Sequence, residues 1–346
     1  MGSSDRRMTS RLFYNLFRIG TFANDKPLLE RIILAEYLCE NDSPFVAVCR
    51  PDLVSTLAAD VFTKIKNLDA DPNTFFPLIE HLSPSVDKEL FLQSQLQQPD
   101  LFIRVKRGKE QKVSRELERH ALPFRQIGPQ AFSLPNGTKL QDVKSINGDY
   151  EVQDWSSQRT LEFIKAEKGE YWWDACAGSG GKALMFLDKY PDTNLLVSDL
   201  RLSVLRNLDE RFEQARVRAT YAKKVLDLTS DLSHLMNTRQ FDGIIADVPC
   251  SGSGTWGRTP EMKVQFSEDK LLEYAALQKR IVSNILSYLK SGKSLVYITC
   301  SVYNAENEDV VNAMAQAHNL QIEHMQIIEG YRDRADSMFV ACLRKP

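Results

Sequence analysis

The amino-acid sequence predicts an α/β protein, because strand-like and helix-like segments alternate from about residue 151 to the end. Such alternation is typical of a doubly wound, mostly parallel sheet with helices on both faces. Two smaller regions precede it, the first with helical spacing of apolar residues and the second with short strand-like runs. With 346 residues, of which 43% are hydrophobic, the chain is long enough for two or three domains.

Residues 1–96 are predicted to form an N-terminal helical region. Apolar residues recur at three- and four-residue spacing in Leu12, Leu16 and Ile19, which is the period of an amphipathic helix. Pro99 then interrupts this pattern, so we place the boundary of the region at residue 96.

Residues 97–150 are predicted to form a small α/β module of the RRM-like type. Residues 101–105 alternate like a strand, a helix-like run follows, and Asn-Gly pairs mark turns between short strands. Between residues 101 and 125 lie eight Lys or Arg against three Glu, although the whole chain has a net charge of −2. We therefore expect this module to bind an RNA backbone, whereas a solvated helix face is the alternative that the segment alone leaves open. The candidate RNA-binding residues here are Arg104, Lys106, Arg107 and Lys109.

The remaining residues, 151–346, are predicted to form one domain around a seven-stranded sheet. Its candidate strands are 171–176, 195–199, 222–227, 241–248, 294–300, 321–328 and 338–343. The last two have no helix-length segment between them, so we expect them to pair antiparallel at one edge of the sheet. This arrangement predicts the Rossmann-like sheet that methyltransferases use.

The composition limits the class of protein further. An apolar run of eighteen residues is absent, and the first seven residues lack the apolar stretch of a signal peptide, so we expect a cytoplasmic protein. The six cysteines include no CxxC pair and no clustered His ligands. We therefore expect reduced thiols, no metal site and no disulfide framework. We also expect a monomer.

A glycine-containing loop follows the first strand of the sheet domain. It reads Asp174-Ala175-Cys176-Ala177-Gly178-Ser179-Gly180-Gly181-Lys182, and it departs from a phosphate-binding P-loop at its first glycine and at Ala183. Glycines allow close approach of the backbone to a ligand, and ligands bind beyond the carboxyl ends of strands in such sheets. The loop therefore predicts the floor of a nucleotide pocket.

Acidic residues at three further strand ends limit the class of ligand that the pocket can bind. Asp199 lies where a carboxylate reaches a ribose hydroxyl, and Asp227 and Asp247 end the next two strands. Such carboxylates favour a cofactor with a neutral adenosine and a cationic centre, which S-adenosylmethionine has. Helix capping after a strand is the alternative for Asp199 and Asp227. Arg206 completes the predicted cofactor-binding set.

Two cysteines lie at the ends of neighbouring predicted strands. Cys250 follows Asp247-Val248-Pro249, and Cys300 lies in Thr299-Cys300-Ser301. Adjacent strands are about 4.8 Å apart, so both thiols can face one substrate. A buried, unreactive thiol is the alternative for any single cysteine, and we adopt it for Cys39, Cys49 and Cys342.

Together these motifs resemble the RsmB/Sun (Fmu) family of RNA cytosine-5 methyltransferases over residues 100–346. The resemblance rests on the ordered set of the glycine loop, the motif 247–252, Thr299-Cys300-Ser301 with Glu306-Asn307-Glu308, and Arg258 with Pro260 and Lys263. The chain departs from the family pattern at Ser179, Trp256, Gly257 and Thr259.

The resemblance implies the roles of the residues. Cys300 is expected to attack carbon 6 of cytosine, Cys250 to assist release of the product, and Asp247 to bind or protonate the ring nitrogen. Lys182 would lie near the base or near Cys300, where a cation favours the thiolate. The target base must leave any stack, so we expect an unpaired or distorted site in RNA, with ribosomal RNA as the expected partner and Arg258 as a further RNA contact. A DNA cytosine-5 methyltransferase and an inactive RNA-binding assembly factor are the alternatives.

Overall fold

The computed structural model describes residues 3–217, 219–236 and 238–346. The first two residues of the predicted N-terminal region therefore lie outside the described residues. In the rest of that region the helices are α1 (Ser3–Arg18), α2 (Leu28–Cys39), α3 (Pro44–Cys49), α4 (Val61–Asn67) and α5 (Lys88–Ser94). Side-chain caps start three of them, because Ser43, Asp60 and Asp87 each accept a hydrogen bond from a backbone N–H of the first turn.

The small module is a four-stranded antiparallel sheet with one helix. Its elements are β1 (Leu101–Val105), α6 (Glu110–Arg119), β2 (Arg125–Gln126), β3 (Ala131–Leu134) and β4 (Tyr150–Val152), and the strand order is β2-β3-β1-β4. Val113 and Leu117 of the helix pack with Ile103 and Phe132 of the sheet. Between β3 and β4 the described chain forms only two short 3-10 helices. The RRM-like description of this module stays a prediction.

The third region is built on a seven-stranded sheet, as predicted. Its strands are β5 (Tyr171–Asp174), β6 (Asn194–Asp199), β7 (Tyr221–Val225), β8 (Phe241–Asp247), β9 (Leu289–Thr299), β10 (Gln321–Ile328) and β11 (Met338–Arg344). Their order is β10-β11-β9-β8-β5-β6-β7. β11 runs antiparallel to both of its neighbours, whereas the other pairs are parallel. The predicted α/β class and the antiparallel edge pair are confirmed.

Helices cover both faces of this sheet. They are α7 (Trp155–Arg159), α8 (Gly181–Lys189), α9 (Leu202–Gln214), α10 (Ser233–Met236), α11 (Glu268–Leu286) and α12 (Glu308–His318). Successive strand residues enter different cores: Leu195 and Val197 pack on one face of β6, and Leu196 packs on the other. This pattern follows from the alternation of side chains along a strand.

The N-terminal region and the sheet domain share an aromatic cluster. Phe76 packs against Trp256 with ring centroids 5.2 Å apart, and Phe91 packs against Tyr331 at 5.8 Å. Polar contacts continue this interface, because the buried Arg18 donates a hydrogen bond of 2.8 Å to the carbonyl oxygen of Gly257. The predicted boundary at residue 96 is therefore crossed by a common core.

The structure also bears on membrane-spanning helices and on the three cysteines predicted to be buried. Within the described residues no helix is both long and apolar enough to span a bilayer. The expectation of a buried thiol is wrong for Cys49, which is exposed because it ends the short helix α3 at the surface. Cys342 is buried and Cys39 is half-buried.

Candidate active site

The carboxyl ends of the parallel strands form the rim of the candidate active site. Asp174, Asp199 and Asp247 are the last residues of β5, β6 and β8. β5 pairs with both β6 and β8, so the three carboxylates come from adjacent strands. Parallel strands present equivalent ends at one edge, which is where such sheets bind ligands.

The loop between β5 and α8 is held against the end of β6. The backbone N–H of Gly178 donates a hydrogen bond of 3.2 Å to Oδ2 of Asp199, whose other oxygen accepts from the backbone N–H of Arg201. Gly180 has a φ of 84°, and a Cβ atom there would lie 2.7 Å from Leu208. The loop can therefore pass this close to α9 only with glycine at that position.

A buried carboxyl group lies under this loop. Asp174 is fully buried, and within the described structure neither of its side-chain oxygens has a hydrogen-bond partner. Burial, together with the charge of Asp247, raises the pKa of Asp174 to about 8, although Lys182 opposes the shift. An unpartnered buried acid is costly, so the pocket is suited to a ligand that brings a cationic or donor group.

Lys182 connects the cofactor loop to the chemistry side of the site. Its Nζ lies 2.6 Å from Oδ2 of Asp247, and its residue is only 9% exposed. Burial lowers the pKa of Lys182, but the Asp247 carboxylate outweighs this effect and the net shift is upward. The ammonium also interacts electrostatically with Cys300. Lys182 is therefore a fixed positive charge between the acid and the thiol.

The two thiols of the site are in direct contact. Sγ of Cys250 and Sγ of Cys300 are 3.3 Å apart, and both cysteines are free. The hydrogen bond with Cys300, followed by burial, raises the pKa of the Cys250 thiol well above its usual value. Because the thiolate is the nucleophilic form, this upward shift keeps the Cys250 thiol protonated.

Other residues of the predicted cofactor set lie farther from this centre. Asp227 is exposed, two residues beyond the end of β7, and its carboxylate accepts hydrogen bonds from Thr229 and Ser230. These hydrogen bonds lower its pKa. Arg206 lies on the exposed face of α9. Cys176 is half-buried in the loop, and burial raises the pKa of its thiol.

Three of the predicted RNA-binding residues, Arg104, Lys106 and Lys109, line one cavity together with residues of α8, but their side chains differ in how free they are. Arg104 is 5% exposed and pairs with Asp188 of α8, so its guanidinium joins the small module to the sheet domain. Arg258 is likewise engaged by Asp154 and Asp336. Arg104 is therefore held inside the protein, contrary to the sequence-based expectation, whereas Arg258 is paired but its side chain is 31% exposed, and its RNA contact stays a prediction.

The other three predicted RNA contacts differ in exposure. Lys106 donates a hydrogen bond to the carbonyl oxygen of Ala215, at the end of α9, whereas Arg107 and Lys109 are exposed.

The sequence analysis assigned no role to Gln278, which is fully buried and donates a hydrogen bond to the carbonyl oxygen of Pro249. A polar residue on the apolar face of α11 was the signal that could have revealed it.

The sheet order, the glycine loop after its first strand and the carboxylate ending its second strand define a Rossmann-like methyltransferase domain. The chain belongs to the family described as 16S rRNA methyltransferase RsmB/F, whose family model matches residues 161–341, just over half of the chain. The family resemblance seen in the sequence is thereby confirmed.

Curated relatives agree with this family. Ribosomal RNA small subunit methyltransferase B of Proteus mirabilis is 29% identical over 270 residues, which cover 74% of this chain and 62% of that protein. The protein of the same name from Escherichia coli O6:K15:H31 (strain 536 / UPEC) is 32% identical over 189 residues, covering 54% and 43%. The chain therefore spans less than two thirds of the length of these relatives.

Solved structures support the fold. The crystal structure of PH0851 superposes with a TM-score of 0.77 at 19% identity, covering 99% of this chain and 91% of that one. NSun6 from Pyrococcus horikoshii with SFG gives 0.68 at 16% identity, covering 77% and 96%. At these identities the likeness shows the architecture alone.

Proposed function

We propose that the protein transfers a methyl group from S-adenosylmethionine to carbon 5 of a cytosine in RNA, with ribosomal RNA as the substrate class. The observation that carries the proposal is the pair of thiols 3.3 Å apart at the ends of neighbouring strands. This pair lies beside a loop suited to an adenosine cofactor. The named curated relatives are ribosomal RNA methyltransferases, which supports RNA as the substrate.

The residues present fit the cofactor. Gly178 and Gly180 allow a ligand to approach the backbone of the loop. The carboxylate of Asp199 can accept a hydrogen bond from a ribose hydroxyl. Asp174 has a buried carboxyl group without a partner, which suits a cationic ligand. S-adenosylmethionine supplies an electrophilic methyl group, and the chain supplies everything that makes the base able to accept it.

The chemistry begins with the base, since carbon 5 of cytosine is a poor nucleophile. The Cys300 thiolate forms a bond to carbon 6, and the displaced electron pair makes carbon 5 nucleophilic. The ring nitrogen on which negative charge develops takes a proton from the Lys182–Asp247 pair, in which Nζ and Oδ2 are 2.6 Å apart. Carbon 5 then takes the methyl group, the methyl–sulfur bond of the donor breaks, and S-adenosylhomocysteine is left.

Release of the product breaks the bond between carbon 6 and the Cys300 sulfur. The proton on carbon 5 passes to solvent, and the electrons of that C–H bond restore the ring double bond. The bond between carbon 6 and sulfur breaks with its electron pair going to the Cys300 sulfur, and the ring nitrogen returns its proton. Cys250 is 3.3 Å from the departing Cys300 sulfur and can assist this step. Because its pKa is raised, Cys250 carries its proton and does not compete as a nucleophile.

The proposal is tested by incubating purified protein with methyl-tritiated S-adenosylmethionine and separate pools of ribosomal RNA, transfer RNA and DNA. We expect label in ribosomal RNA, recovered as 5-methylcytidine after nuclease digestion. Label only in DNA contradicts the proposal. Label in none of the pools, with retained RNA binding, would instead support a non-catalytic assembly factor.

We further propose that the protein acts as a monomer in the cytoplasm, with one RNA substrate per chain. Both thiols, the cofactor loop and Asp247 come from one chain, so a single copy has the complete site. Light scattering of the purified protein measures its mass directly.

A further inference from the structure

Glu306 lies behind both cysteine loops and contacts each of them. One oxygen of its carboxylate accepts a hydrogen bond of 2.7 Å from the backbone N–H of Ser251, directly after Cys250. The other oxygen accepts from the hydroxyl groups of Ser251 and Ser301, and Ser301 directly follows Cys300. One side chain therefore bridges two loops that are fifty residues apart in the sequence.

The environment of Glu306 is unusual for a carboxylate. The residue is fully buried, and within the described residues no Lys, Arg or His pairs with it. Burial raises its pKa, while the hydrogen bonds from Ser251 and Ser301 oppose the shift. A buried carboxylate without a counter-cation is costly unless it is fully hydrogen-bonded. The carboxylate is therefore stable here only through its hydrogen bonds, so the groups that donate them define what it holds.

The number of donors explains why a carboxylate is suited to this place. Besides the three hydrogen bonds from the two serines, Oε1 accepts a fourth, of 3.1 Å, from Nε2 of Gln278. An ionised carboxylate only accepts hydrogen bonds and has about four lone-pair positions, whereas a neutral amide has one accepting oxygen. All four donors therefore find an acceptor together only when Glu306 is ionised.

Neighbouring side chains complete the hold on both loops. Gln278 donates 3.0 Å to the carbonyl oxygen of Pro249, so the residues before and after Cys250 are both fixed. Asn307 accepts from the hydroxyl of Thr299 and donates to the carbonyl oxygen of Ser301, so the same is true of Cys300. Between these two fixed loops the thiols contact each other.

We propose that Glu306 is a positioning residue that fixes the separation of the Cys250 and Cys300 thiols. This role rests on the proposed function, in which the attack and the release both require the two sulfur atoms at one site. The distance between the two sulfur atoms, in contrast, does not depend on what reaction the protein catalyses.

The test uses a reagent that reports this distance. Phenylarsine oxide condenses with two nearby thiols, forming two arsenic–sulfur bonds and releasing one water, and it binds a single thiol weakly. We expect Glu306→Ala in the full chain to bind phenylarsine oxide about 10-fold more weakly than the unmodified protein, because the loops are no longer tied together. Cys250→Ser serves as the reference for single-thiol binding.

Glu308→Gln is the matched control. Glu308 also accepts a hydrogen bond from a serine, Ser83, and burial also raises its pKa, but it contacts neither cysteine loop. We expect its arsenical affinity and its turnover to match those of the unmodified protein. Glu306→Ala should lower kcat for methyl transfer about 10-fold or more and leave KM for S-adenosylmethionine unchanged.

Unchanged arsenical binding in a folded Glu306→Ala protein overturns the proposal. If that variant does not fold, Ser301→Ala removes one of the four hydrogen bonds, and we expect a fall of about threefold; no change there overturns the proposal equally. Failure of the proposed function looks different: the unmodified protein would then not methylate RNA, although the difference in arsenical binding between the proteins persists.

Discussion

The thiol side and the cofactor side of the site differ in how their buried acids are satisfied. On the thiol side, Glu306 is fully buried and accepts hydrogen bonds from Ser251, Ser301 and Gln278. On the cofactor side, Asp174 is equally buried and neither of its oxygens has a partner within the described structure. The protein thus completes one half of the site by itself and leaves the other half to be completed by a ligand.

This difference has a physical consequence for how the two halves respond to change. A satisfied buried network transmits the loss of one member to the atoms it positions. An unsatisfied buried acid instead takes up a proton, and the pKa of Asp174 is raised to about 8 for this reason. Substitutions on the thiol side should change chemistry, whereas those on the cofactor side should change affinity and its dependence on pH.

The largest expected effect separates the two cysteines. Cys300→Ala should reduce methyl transfer at least about 10⁴-fold, because it removes the nucleophile, and it should form no covalent complex. Cys250→Ala should instead accumulate a protein–RNA adduct that resists denaturant. Gel electrophoresis with labelled RNA distinguishes the two variants. An adduct with Cys300→Ala and none with Cys250→Ala would show that the roles are reversed.

Asp174→Asn is expected to have the next largest effect, about 10-fold on the affinity for S-adenosylmethionine at pH 8. With a pKa of about 8 the free carboxyl group is mostly protonated at pH 6, and a cationic ligand favours the ionised form. Affinity should therefore rise with pH from 6 to 8, and binding at pH 7 should release a proton.

Calorimetry in two buffers of different ionisation enthalpy measures that proton. The Asn variant is the control for titration of the cofactor itself, because any dependence on pH that remains in the variant belongs to the ligand. An unchanged proton release in the variant would contradict the assignment to Asp174.

The smallest expected effect is that of Asp227→Ala, compared with Asp199→Ala, since both carboxylates are predicted to bind the same cofactor. Asp199→Ala should weaken cofactor binding by about 10-fold, because Asp199 also holds the backbone of Gly178 in the loop. Asp227→Ala should change it by less than about threefold, since its carboxylate is exposed and already occupied by Thr229 and Ser230. Equal losses in the two variants would show that Asp227 contacts the cofactor after all.

The sequence predicted the elements that carry the site better than the contacts between them. The strand containing Asp247 was predicted over 241–248 and is observed as Phe241–Asp247, because a continuous apolar run between turn residues is characteristic of a buried parallel strand. The strand β9 begins at Leu289, whereas the predicted strand began at residue 294. The prediction missed its first residues because residues 290–293 lack apolar periodicity. Both cysteines nevertheless follow their strands as expected.

Contacts between distant segments could not be predicted in this way. A local excess of cations indicated RNA binding by Arg104, but only the fold shows that Asp188, eighty-four residues later, lies against it. Glu306 was noticed as part of a motif, yet its role depends on the meeting of the loops after β8 and β9. The Thr229 and Ser230 that occupy Asp227 were a local signal, typical of a turn, that the sequence did offer.

The aromatic cluster that joins the N-terminal region to the sheet domain is expected to couple their folding. Phe76 and Phe91 come from one region, and Trp256 and Tyr303 from the other, and all four side chains are buried. A fragment limited to the segment that matches the family model would expose Trp256 and Tyr303 to water. We therefore expect the thiol loops to lose their order when the first ninety-six residues are removed, because the helical region would then no longer stabilise a site to which it contributes no thiol.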